Sequence, residues 1–110
     1  MGRVRHPLML AVALAVMPAS ANAQDGNMAA GHVFAREACK ACHMVELEQL
    51  SQRRLVIAPA FREIANAPRI TATALRVFLR TSHPKMPNLI LTAEEMADVI
   101  AYILSLQDRR

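Results

Sequence analysis

The stretch Cys39-Lys40-Ala41-Cys42-His43 constrains this chain more than any other, because it holds both cysteines of the 110 residues. Two residues separate the thiols, and a histidine follows the second at once. Four chemistries use such a pair: a disulfide, half of a zinc site, a redox dithiol and a covalent attachment point for haem. The rest of the sequence has to choose among them.

The N-terminus bears on the choice. Arg3, Arg5 and His6 make a basic start, and Leu8 to Met17 is an apolar run of ten residues. Pro18 breaks that run, and Ala21-Asn22-Ala23 supplies a small-x-small cleavage signal. The run falls short of the roughly 20 apolar residues that span a bilayer. Residues 1–23 therefore read as a secretory leader cut after Ala23, with a cut after Ala21 and an uncleaved anchor as the alternatives. The expected mature chain is 24–110, a single domain that is exported, hence periplasmic, and has no stable membrane span. So small a domain often needs a disulfide, a metal or a cofactor to complete its core.

The whole chain carries 13 Lys and Arg against nine Asp and Glu, and removal of Arg3 and Arg5 lowers the formal charge from +4 to +2. With one Tyr, three Phe and no Trp, there is no basic, base-stacking surface for nucleic acid.

The elements are helical. "AAGHVFAREA", 29–38, is rich in helix formers and leads into Cys39. Residues 24–28 read as a polar, frayed start. Residues 44–60 show no clean period and read as an irregular loop ended by Ala58-Pro59. "AFREIAN", 60–66, reads as a short helix. Thr71 is a candidate N-cap for a helix to Thr81, with Leu75, Phe78 and Leu79 on one apolar face. Pro84 and Pro87 then forbid helix through "SHPKMPN". Thr92 and Glu95 form a capping box, and Met96, Val99, Ile100, Ile103 and Leu106 trace one face of the last helix. Arg109 and Arg110 are expected to complement its dipole. No segment alternates as a strand does. The predicted fold is all-α, with three or four helices and long loops.

In that setting the four readings of the cysteines separate. A disulfide across so short a loop adds little stability. A redox dithiol of the thioredoxin kind belongs to a βαβ unit. A closed zinc site needs four ligands, and only His32 and His83 remain as good ones. Haem attachment uses all three residues: a helical turn presents both sulfurs to the vinyl edge of the porphyrin, and His43 swings beneath the ring to the iron. The large apolar group would then serve as core, and the apo chain would be poorly folded. For the opposite axial position the candidates are Met28, Met44, Met86, Met96, His32 and His83. Met44 adjoins His43 and cannot cross the ring. Met96 lies on the apolar stripe of the last helix. Met86 stands in a loop stiffened by Pro84 and Pro87, and is preferred; His83 is second.

These residues resemble the small class I cytochromes c of bacterial periplasms. The resemblance covers the mature chain through Gly31 and Phe34, the Cys39–His43 motif, Ala58-Pro59 with Phe61, Met86-Pro87, and a last helix with Tyr102 and the ending "YILSL". It implies a cytochrome c fold around one haem c, with thioethers at Cys39 and Cys42. His43 would be the proximal iron ligand and Met86 the distal one. Pro59 would offer its carbonyl to the far nitrogen of His43, and Gly31 would let the first helix cross the last near Tyr102. Two features depart from the pattern: Ala58-Pro59 stands where Gly-Pro is usual, and "ELEQLSQRRLVI" has no distinctive family counterpart.

A haem closed by His and Met passes an electron and does little else. The expected function is a one-electron carrier, not an enzyme, between a dehydrogenase or a quinol-oxidising complex and a terminal acceptor. The alternative is a haem-based sensor or peroxidase-like enzyme, which requires a labile distal ligand. Lys40 and Lys85, the only lysines, each adjoin a haem-binding feature and would steer an acidic redox partner.

Overall fold

The computed structural model describes residue 2 and residues 26–47 and 58–109. All of the leader but residue 2, and most of the 44–60 loop, lie outside the described residues. Four helices follow in order: α1 (Met28–Ala38), α2 (Phe61–Ala65), α3 (Ala72–Arg80) and α4 (Ala93–Ser105). Among the described residues there is no strand, only an isolated antiparallel bridge between His83 and Met86. The architecture is all-α, as predicted.

Three of the helices, α1, α3 and α4, start where an N-cap side chain satisfies a free amide of the first turn. Asn27 Oδ1 accepts from Ala30 N–H at 3.0 Å, Thr71 Oγ1 from Ala74 N–H at 3.1 Å, and Thr92 Oγ1 from Glu95 N–H at 3.1 Å. The predicted box closes at α4, where Thr92 N–H donates to Glu95 Oε2 at 2.8 Å. The segment before α1 is not frayed at Asn27: its N–H donates to Asp98 Oδ1 on α4 at 2.6 Å. Arg109 does not reach the last turn of α4. That helix stops at Ser105, and Asp108 N–H donates to Asn66 Oδ1 at 2.8 Å, which ties the chain end to α2. Arg110 lies outside the described residues.

The spine of the core is α4. Met96, Val99, Ile100, Tyr102 and Ile103 are buried on it, and α1, α2 and α3 each pack against it, α1 most extensively. Leu75 of α3 is buried and Leu79 packs against the core, one turn further on. Phe78 departs from the expected face. It is 47% exposed and turned towards His83, because the stripe that α3 shows to α4 is narrow.

The crossing of α1 and α4 is close. A Cβ at Gly31 would collide with the Asp98 carbonyl, and one at Gly26 with the Ala97 carbonyl. The crossing point is thus Asp98, one turn before Tyr102. Tyr102 secures a different neighbour: its hydroxyl donates to the Val45 carbonyl at 2.5 Å, joining α4 to the chain just past the motif. Gly31→Ala should cost about 2 kcal/mol in denaturant unfolding of the holoprotein, since the overpacking outweighs the gain in helix propensity. A neutral or stabilising effect would mean that the helices are free to separate.

Candidate functional site

The motif is the continuation of α1. Cys39 N–H and Lys40 N–H both donate to the Ala35 carbonyl, at 2.9 and 3.1 Å, and close the helix. Cys42 N–H and His43 N–H then donate to the Cys39 carbonyl, at 3.1 and 3.0 Å. The motif is therefore one further tight turn, with a thiol at each end of it. Both thiols are half-buried and unpaired.

A second segment is laid against this turn. Ala58 N–H donates to the Cys42 carbonyl at 3.1 Å, and Phe61 N–H to the Met44 carbonyl at 2.9 Å. Pro59 lies between these two ties. His43 Nδ1 stands 2.7 Å from its carbonyl oxygen. A carbonyl only accepts, so Nδ1 carries a proton, and in the neutral imidazole Nε2 is the nitrogen with the free lone pair. Phe61 flanks the imidazole at a centroid distance of 5.4 Å. Sequence departs from Gly-Pro at Ala58, yet the Pro59 carbonyl still meets His43.

Met86 belongs to a separate loop, registered on α3. The residue before a proline is driven to extended backbone. His83 precedes Pro84 and Met86 precedes Pro87, so both are extended, and they pair in the bridge with Pro84-Lys85 as the corner. Met86 is half-buried there. A cleft of about 370 Å³ opens beside the same stretch, between the end of α3, residues 88–91 and the start of α4; Leu79, Leu89, Leu91 and Met96 are among its walls.

The other axial candidates are differently engaged. Met44 and Met96 are buried, the latter in the main core cluster. Met28 is exposed at the start of α1. His32 Nε2 pairs with Glu46 Oε1 at 2.8 Å, its ring 4.8 Å from that of Tyr102. His83 Nε2 lies 3.0 Å from the Phe78 carbonyl and so is the protonated nitrogen. Lys40 and Lys85 are both exposed.

The rival chemistries find little to use. Among the described residues no three His, Cys, Asp or Glu gather as metal ligands. A reactive dithiol needs a depressed thiol pKa. Burial instead pushes the Cys39 thiol up from 9.0 to about 11. Two unpaired thiols one turn apart, with an imidazole next to the second that is oriented through Nδ1, are groups suited to haem c.

Sequence reasoning missed the ties between distant segments. The His32–Glu46 pair, with Arg36 Nε 3.4 Å from the same carboxylate oxygen, anchors the chain past the motif to α1. Nothing local marks it. The His83–Met86 bridge did leave a signal, in the two prolines that follow its members.

Comparison with known proteins shows the family. The family profile described as Cytochrome c matches residues 28–107. Cytochrome c-552 of Bradyrhizobium diazoefficiens is 34% identical over 102 residues, covering 93% of this chain and 96% of that protein. No solved structure matches the chain. Family profile and relative together span all four helices and the motif, and the chain belongs to the cytochrome c family, in its small class I form, as a haem-based electron carrier.

Proposed function

We propose that the chain is a periplasmic one-electron carrier whose single haem c is held by Cys39 and Cys42 and ligated by His43 and Met86. The observation that carries this reading is the hydrogen bond from His43 Nδ1–H to the Pro59 carbonyl, 2.7 Å long. It leaves Nε2 as the donor atom, fixes the ring plane and raises the basicity of the imidazole. Bound there, the iron supplies a one-electron ferric–ferrous couple, and methionine ligation favours the ferrous state. Cys39 and Cys42 would hold the porphyrin edge from the two ends of one turn. Met86 would supply the second protein ligand to the iron, from a loop with few conformations to lose. A closed iron leaves no room for a small-molecule reactant, which is why the sensor and peroxidase readings rank below electron transfer.

Replacing Met86 by Ala should abolish the ferric far-red sulfur-to-iron absorption and let the ferrous protein bind carbon monoxide, which the parent protein does not. Carbon monoxide binding by the parent protein would favour the sensor or peroxidase reading instead.

The leader proposal rests on the basic start, the short apolar run and Ala21-Asn22-Ala23. It also fits a family match that begins at residue 28. No helix among the described residues is long and apolar enough to cross a membrane. N-terminal sequencing of protein recovered from the periplasm should read from Gln24, and recovery of intact Met1 would refute cleavage.

The electron donor is proposed to be a dehydrogenase or a quinol-oxidising complex, and the recipient a terminal acceptor. Lys40 stands inside the motif and Lys85 at the corner beside Met86, both exposed, so each can steer an acidic partner. The double variant Lys40→Gln, Lys85→Gln should flatten the ionic-strength dependence of the electron-transfer rate. An unchanged salt slope would remove both lysines from docking.

A further inference from the structure

We infer that His83 is the positioning residue for the distal ligand: its imidazole latches the Met86 loop onto the end of α3. The inference rests on the reading of Met86 as an iron ligand. It also explains why a histidine stands at 83, where a solvated loop would accept any polar residue.

Three contacts carry it. The last carbonyls of a helix have no partner within the helix. In α3, Thr81 N–H takes the Phe78 carbonyl at 3.1 Å, and His83 Nε2–H donates to the same oxygen at 3.0 Å. The imidazole also lies flat on the Phe78 ring, at a centroid distance of 3.6 Å and an interplanar angle of 14°. Finally, the backbone of His83 bridges to that of Met86. Position therefore passes from α3 to the His83 ring, from the ring to its backbone, and across the bridge to Met86. Since Leu75 is buried and Leu79 packs on the core, α3 is a fixed base for the latch. The exposure of Phe78 acquires a reason as well: its ring is the platform on which His83 rests.

The two prolines alone do not supply this. They hold His83 and Met86 extended but leave the loop free to pivot about Ser82. The hydrogen bond and the stack stop the pivot. Without them, methionine leaves the iron more often, although the helices stay packed.

The test uses ferric holoprotein and cyanide as the probe, because an incoming ligand must wait for Met86 to leave. His83→Ala should raise the cyanide association rate about tenfold, the loss of one hydrogen bond and one ring contact. His83→Gln keeps a donor for the Phe78 carbonyl and should fall between the two. Phe78→Leu keeps the carbonyl bond, removes the stack, and should also speed cyanide entry. Tyr102→Phe serves as the comparison, since it loosens α4 from Val45 away from the loop. A rate in His83→Ala within twofold of the parent, with the far-red band present in both, overturns the latch. An equal rise in Tyr102→Phe at the same loss of Tm also overturns it, by reducing it to general loosening. A parent protein without the far-red band overturns the Met86 reading itself, and the latch with it.

Discussion

The crossing of α1 over α4 sets the frame in which the rest of the site stands. At Gly31 the place of a Cβ is filled by the Asp98 carbonyl, so the two backbones touch. Asn27 pins the start of α1 to the Asp98 side chain, and α1 then runs without a break into the Cys39–His43 turn. The thiols and the imidazole therefore inherit their position from a contact between backbones, which yields less than any contact between flexible side chains. Tyr102 and the His32–Glu46 pair then hold the exit from the motif on the same two helices.

Two short segments further along the chain, 58–61 and 83–86, stand beside that frame and are held in different ways. The 58–61 stretch is laid on the motif by backbone hydrogen bonds, and it brings one carbonyl, that of Pro59, to His43. The 83–86 loop is built differently. Its geometry comes from prolines, a bridge and an aromatic stack, and it stands on α3. The 58–61 stretch is thus held by backbone hydrogen bonds, and the 83–86 loop by its own backbone bridge together with the contacts of the His83 ring.

Much of this was legible in the residues. The motif, the capping box at Thr92 and Glu95, the N-cap at Thr71 and the stripe on α4 are all local patterns, and local patterns survive in sequence. The bridge between His83 and Met86 was readable through the prolines that follow them. What could not be read depends on residues far apart in the chain. Asn27 and Asp98 meet over 71 positions, and Tyr102 and Val45 over 57. Phe78 was assigned to the core stripe by periodicity, which carries no information about a histidine five residues on that would claim its ring. Gly26, which resembles any loop glycine in sequence, proves to be a second point of close approach.

The central claim is that a chain with these ligands closes its iron between one imidazole and one thioether. X-ray absorption at the iron edge of the ferric holoprotein tests it most directly. The account predicts a single sulfur neighbour among nitrogens. A first shell of nitrogen alone, whether completed by a second histidine or left one position short, would contradict it.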